Sequence, residues 1–126
     1  MAEKIFKILM VEDEPDIVEI YGSQLKNAGY SLETAANGKE ALVWLEKNTP
    51  DLVLLDLLMP DMDGFEFLDK VKKYPNRKNI RIFAWSNLTQ KKDVDLAKQK
   101  GVEDFLIKSD YTPKKLTEKI TEIFKK

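Results

Sequence analysis

Five polar side chains stand directly behind apolar runs in this chain, and their types belong together chemically. Glu12 and Asp13 follow the run from Ile5 to Val11, Asp56 follows Leu52-Val53-Leu54-Leu55, Ser86 follows Ile80 to Trp85, and Lys108 follows Val102 to Ile107. Three carboxylates gathered in one place would repel one another and resist ionising unless a cation neutralised them. Oxygen donors alone, in a chain with neither His nor Cys, favour Mg²⁺, with Mn²⁺ as a substitute. A lysine ammonium and a serine hydroxyl both suit the oxygens of an incoming phosphoryl group. The set therefore points to phosphoryl transfer onto the Asp56 carboxylate, giving an aspartyl phosphate.

Taken singly, each residue has a plainer explanation. Glu12-Asp13-Glu14 before Pro15 is an ordinary acidic approach to a helix, Asp56 a strand-end turn residue, Lys108 a surface lysine and Ser86 a hydroxyl near a helix start. Their recurrence at four strand–helix junctions lifts them above that, so the elements that position the junctions decide the matter.

Leu52 to Leu55 is apolar at every position, the pattern of a strand covered on both faces at the centre of a parallel sheet. The Ile5–Val11 run is a strand of the same kind, and Pro15 sits well in the first turn of the helix after it, with Asp16 and Glu19 toward the positive end of the dipole. Ile17, Ile20, Leu25 and Ala28 recur at helical spacing, and Gly29 suits a left-handed cap. Ser31 to Ala36 alternates weakly, as a short edge strand does, and Asn37-Gly38 turns the chain into a helix with Ala41, Leu42 and Leu45 in its stripe and Trp44 alongside. Beyond Asp56, Met59 to Gly64 forms a loop, and Asp63 with Glu66 resembles a capping box for a helix to about Lys73, with Phe67, Leu68 and Val71 inward. Ile80 to Trp85 is a fourth strand. Thr89 is the expected N-cap of a Lys-rich helix that Gly101 ends, and Thr112-Pro113 starts a last helix with Leu116, Ile120 and Ile123 on one face. The pattern is (βα) five times over: an α/β fold with a doubly wound, parallel, five-stranded sheet. In strand order 2-1-3-4-5, strands 1 and 3 adjoin at the switch point, where ligands bind, and Glu12, Asp13 and Asp56 converge.

Composition narrows the rest. A chain of 126 residues with 43% apolar residues is expected to form one domain over residues 1–126. Nothing in it is long and apolar enough to span a bilayer, and Met1-Ala2-Glu3-Lys4 is unlike a secretion signal, so a cytoplasmic setting with no membrane partner is expected. The absence of His excludes imidazole catalysis and a phosphohistidine on this chain, so a phosphoryl group must arrive from another molecule. Residues 1–63 hold 5 Lys against 13 Asp or Glu, net −8, while residues 64–126 hold 16 Lys or Arg against 9 acids, net +7. Acids interleave the lysines of the basic half, so Lys91, Lys92, Lys98 and Lys100 read as a solvated helix face and no direct nucleic-acid contact is expected.

Val11-Glu12-Asp13-Glu14, Leu55-Asp56 with Met59-Pro60 and Asp63-Gly64, Ser86 and Lys108 together resemble the signature of a response-regulator receiver domain, over nearly the whole chain. The resemblance also supplies the flavodoxin-like strand order used above. It implies that Asp56 is the phosphoacceptor. It further implies that Glu12 and Asp13 hold Mg²⁺ with the Asp56 side chain and the Leu58 backbone carbonyl, and that Lys108 pairs with the phosphoryl group. Ser86 would be the switch hydroxyl and Phe105 the aromatic residue that swings inward. The implied donor is a phosphohistidine on a sensor histidine kinase or phosphotransfer protein. With no effector domain in the chain, output would be contact with a protein partner through the fourth helix, fifth strand and fifth helix, the molecule being a monomer or weak dimer.

Departures from the family pattern carry expectations of their own. Ser109 stands where the family commonly has a proline after its lysine, so a trans peptide and an altered loop are expected there. Leu58 and Leu88 flank the phosphoryl position and would hinder the water that hydrolyses it, slowing loss of the phosphate. Asn87 replaces the small residue often found after the switch hydroxyl. Two other functional classes compete: a receiver-like scaffold independent of phosphorylation, and a Mg²⁺-dependent hydrolase with an Asp nucleophile. Leu58 stands where that hydrolase needs a second acid, and no phosphate-binding Gly/Ser/Thr loop follows strand 1 to suit an electron carrier.

Overall fold

The computed structural model describes residues 4–59 and 62–125. Pro60 and Asp61, in the loop expected between Met59 and Gly64, lie outside the described residues. Five strands, β1 (Lys7–Val11), β2 (Ser31–Ala35), β3 (Leu52–Leu55), β4 (Arg81–Ser86) and β5 (Asp104–Ile107), form one sheet in the order β2-β1-β3-β4-β5. All four pairings are parallel, and β3 lies between β1 and β4 with Val11 beside Leu55 and Leu55 beside Ala84. Five helices alternate with them: α1 (Pro15–Asn27), α2 (Gly38–Leu45), α3 (Gly64–Val71), α4 (Lys91–Gln99) and α5 (Pro113–Phe124).

Because successive strand residues face opposite ways, the sheet separates two cores. Leu9, Val11, Val53, Leu55, Ile82 and Ala84 pack with Leu42, Phe67, Leu68, Val71 and Ala97 of α2, α3 and α4. Ile8, Met10, Leu52, Leu54, Phe83, Trp85 and Leu106 pack on the opposite side with Leu25 of α1 and Leu116, Ile120 and Ile123 of α5. All four residues of β3 are fully buried, as a strand with helices on both faces requires.

Local chemistry sets the helix ends. Asn37, Asp63 and Thr112 each accept a backbone N–H three residues on, from Glu40, Glu66 and Lys115. Gly29 and Gly101 take φ of 99° and 109° past the ends of α1 and α4, a region other residues enter at a cost. Thr89 is not the cap of α4: the N-cap position falls one residue later, at Gln90, whose carbonyl accepts the first helical bonds from Asp93 and Val94. The inward stripe of α1 also differs from the expected one. Ile20 is 55% exposed and Ala28 is exposed, while Val18, Tyr21 and Leu25 pack on the core, a face rotated by one residue from the apolar pattern. Lys100 is half-buried and pairs with Asp69 of α3 at 2.7 Å, so it belongs to an inter-helix bond and not to the solvated face that holds Lys91, Lys92 and Lys98.

All peptide bonds among the described residues are trans, including Lys108–Ser109. The chain leaves β5 through a single 3₁₀ turn at Lys108–Asp110 before α5. No helix among the described residues is long and apolar enough to cross a membrane.

Candidate functional site

The carboxyl ends of β1, β3, β4 and β5 open on one edge of the sheet, and the polar residues stand there. Glu12 continues β1 by one residue, held by its N–H to the Ala35 carbonyl at 2.9 Å. Asp56 continues β3 in the same way, its N–H donating to the Val11 carbonyl at 3.0 Å. The ladder thus carries both acids past the last strand residue, side by side at the switch point. Glu12 and Asp56 are buried and Asp13 is half-buried; one carboxylate oxygen from each lies within 4.8 Å of the others.

Lys108 enters this acidic cluster from β5. Its ammonium lies 2.5 Å from Glu12 Oε1 and donates to Asp56 Oδ2 at 3.1 Å. The other Asp56 oxygen, Oδ1, accepts the Leu58 N–H at 2.9 Å, so both oxygens of the central carboxylate are engaged. Glu12 Oε2 accepts the Glu14 N–H at 3.2 Å. Burial raises the Glu12 pKa from 4.5 to about 7; Lys108 pulls against that rise and the charge of Asp56 adds to it. Burial alone would lower the Lys108 pKa, but bonding to Glu12 and the charges of Asp56 and Glu12 outweigh it and hold the ammonium above its ordinary value.

Ser86 ends β4 and is fully buried, its hydroxyl accepting the Leu88 N–H at 3.4 Å within its own loop. Phe105 sits in β5 beside Ala84, half-buried against the first core. Leu58, 57% exposed, and Leu88 line one cleft together with Leu57, Met59, Asp63, Phe65 and Asp93. Gly64 closes the site from below: a Cβ there would fall 2.7 Å from Leu57 Cα and 2.8 Å from the Asp56 carbonyl oxygen, so α3 can approach the end of β3 only through a glycine.

Sequence spacing brought Glu12, Asp13, Asp56, Ser86 and Lys108 to one sheet edge, and all five are found there. It did not reveal the Lys108–Glu12 contact, since the pairing of a strand-end lysine with an acid 96 residues earlier leaves no local signal. The tight approach at Gly64 was missed as well, although a glycine directly after an N-capping Asp63 is a trace of it.

The donor set fits a hard divalent cation. Three carboxylates from two adjacent strand ends, with no nitrogen or sulfur donor, provide oxygen-only coordination suited to Mg²⁺. Over residues 8–121 the chain matches the response regulator receiver domain. It belongs to that family. Receiver domains are signalling modules of two-component systems that take phosphoryl groups from histidine kinases. This receiver domain is 31% identical to the chemotaxis protein CheY4 of Vibrio cholerae, whose crystal structure superposes with a TM-score of 0.87 over 94% of this chain and 98% of that one. It is 35% identical over 101 residues to an uncharacterized 14.6 kDa protein of Leptolyngbya boryana, covering 80% of this chain and 77% of that protein. It is also 32% identical over 120 residues to the probable transcriptional regulator ycf27 of Porphyra purpurea, covering 95% of this chain but 48% of that protein, about half its length.

Proposed function

We propose that this receiver domain, as a single unit over residues 1–126, is switched by a phosphoryl group on Asp56. A phosphohistidine of a sensor kinase or phosphotransfer protein, or a small acyl phosphate, is the donor: the Asp56 carboxylate oxygen bonds to phosphorus as the bond to the donor's nitrogen or oxygen breaks. The observation that carries the reading is the buried Asp56 carboxylate held between the Lys108 ammonium and the Leu58 N–H. Those donors fix the attacking group in place. Lys108 stays charged and can follow the phosphoryl oxygens as they arrive.

Glu12, Asp13 and Asp56, with the Leu58 backbone carbonyl, would hold Mg²⁺, which supplies charge neutralisation at the phosphoryl oxygens when bound. Ser86 would then bond a phosphoryl oxygen, and Phe105 would fill the space its loop vacates. That changes the surface of α4, β5 and α5, the face that a protein partner would read. Turnover of an external substrate, as in an Asp-nucleophile hydrolase, lacks a group at Leu58 to activate water, which supports a signalling role over an enzyme. A receiver-like scaffold without phosphoryl uptake is disfavoured by the complete set of Glu12, Asp13, Asp56 and Lys108.

Incubation with Mg²⁺ and a small acyl phosphate, followed by intact mass measurement, tests the proposal. One phosphoryl adduct is expected, lost in Asp56→Asn and in the presence of a chelator. No adduct, or one retained by Asp56→Asn, would remove Asp56 from the role.

A further inference from the structure

The β4–β5 ladder ends at Ser86 beside Ile107, one residue short of both Asn87 and Lys108. Past that point a side chain takes over: Asn87 Oδ1 accepts the Ser109 N–H at 3.0 Å. The bond ties the residue after Ser86 to the residue after Lys108. On its other side the Lys108 turn is closed by the Tyr111 N–H donating to the Lys108 carbonyl at 3.1 Å, and the Tyr111 carbonyl in turn accepts the Tyr21 hydroxyl of α1 at 2.7 Å. The backbone of Lys108 is therefore pinned from both flanks.

Such pinning matters for a lysine more than for a short side chain. Four rotatable bonds separate the ammonium from its backbone, and freedom in the backbone multiplies the positions that the ammonium can occupy. Holding it at 2.5 Å from Glu12 and 3.1 Å from Asp56 requires the root of the side chain to stay fixed. Ser109 is competent for the bond because it carries a backbone N–H, and Asn87 because its amide oxygen reaches across the gap between the loops.

We infer that Asn87 is a positioning residue: through the Ser109 N–H it fixes the Lys108 turn and thereby the ammonium at the phosphoacceptor. The consequence for phosphoryl transfer rests on the reading of Asp56 given above. The consequence for Lys108 does not.

The test follows the Lys108 side-chain ammonium and the Ser109 amide by NMR in the metal-free protein, and the rate of adduct formation from a small acyl phosphate with Mg²⁺. Asn87→Ala and the near-isosteric Asn87→Leu both remove the acceptor from an exposed position. Each is expected to speed exchange of the Ser109 amide, shift the Lys108 ammonium signal, and slow adduct formation about two- to tenfold, the range that one net hydrogen bond spans. Asn87→Asp keeps an acceptor and is expected to restore the Ser109 and Lys108 signals, which a loss of packing alone would not allow. A Lys108 signal that stays put in both variants, a shift that Asn87→Asp does not reverse, or an unaltered rate overturns the inference. Absence of any adduct on the wild type would instead refute the Asp56 reading, with the Lys108 signal still deciding the role of Asn87.

Discussion

Lys108 Nζ lies 2.5 Å from Oε1 of Glu12, an acid 96 positions earlier in the chain, and Glu12 is buried at 1% exposure. The lysine thus neutralises an acid that the phosphoacceptor reading assigns to the metal. In the metal-free protein it serves as the counter-charge of the cluster, and it meets Asp56 from the same position.

Lys108→Ala removes that counter-charge. Breaking a buried ion pair costs about 3–5 kcal/mol when the remaining group stays charged. Glu12, with its pKa pushed up to about 7, can take up a proton instead, so the expected loss is smaller, about 1–3 kcal/mol in the metal-free protein. Mg²⁺ should recover more stability in the variant than in the wild type. Urea unfolding with and without Mg²⁺ measures both, and an equal deficit in the two conditions would contradict the counter-charge role.

The raised Glu12 pKa sets two pH trends of opposite sign. In the metal-free fold the group binds its proton more tightly than in the unfolded chain, where its value is near 4.5. Its contribution to stability is therefore full below 4.5 and is lost as pH rises through about 7. Metal binding needs the carboxylate, so Mg²⁺ affinity should climb with pH up to about 7 and then level off. Calorimetric titrations across this range should show proton release below the plateau. Glu12→Gln should weaken binding and flatten the trend, and an equally steep trend in that variant would assign it to another group.

Leu58 and Leu88, two residues beyond Asp56 and Ser86, line one cleft, and on the reading of Asp56 given above they would hinder water at the phosphoryl group. Replacing either by Ala opens room for water in line with the phosphoryl group, and faster loss of the phosphate by several-fold is expected. Decay of the purified adduct in excess chelator gives the rate. Unchanged decay in both variants would show that water reaches the site by another route.

Gly64→Ala places a methyl group against Leu57 and the Asp56 carbonyl, backbone atoms that cannot turn aside. Overpacking of this kind costs about 1–3 kcal/mol. Because the push falls on the end of β3, adduct formation should drop along with the unfolding midpoint. Gly29→Ala is a useful contrast: its Cβ would meet nothing within 4 Å, so its cost comes from the positive φ alone and phosphoryl uptake should be retained.

Which parts of the molecule were legible in the residues follows from the range of the forces involved. Apolar runs and helical spacing are local patterns, and they carried the five strands, the five helices and the two-faced burial of Leu52 to Leu55. Local caps at Asp63 and Thr112 were visible for the same reason, whereas Asn37 was read only as a turn, and Thr89 was misplaced because the first turn of α4 bonds to the Gln90 carbonyl and needs no side-chain cap. The stripe of α1 was misread at Ile20, where packing against α5 and the sheet selected Val18, Tyr21 and Leu25.

The sequence by itself determined the alternation of elements, the strand-end location of Glu12, Asp13, Asp56, Ser86 and Lys108, and the oxygen-only donor set. Only the tertiary structure decided that Lys108 sits between Glu12 and Asp56, that α3 touches β3 through Gly64, and that Asn87 holds Ser109. These contacts join residues distant in the chain or close across two loops, and their distances are fixed by how helices settle on a twisted sheet, which no local pattern of residues encodes.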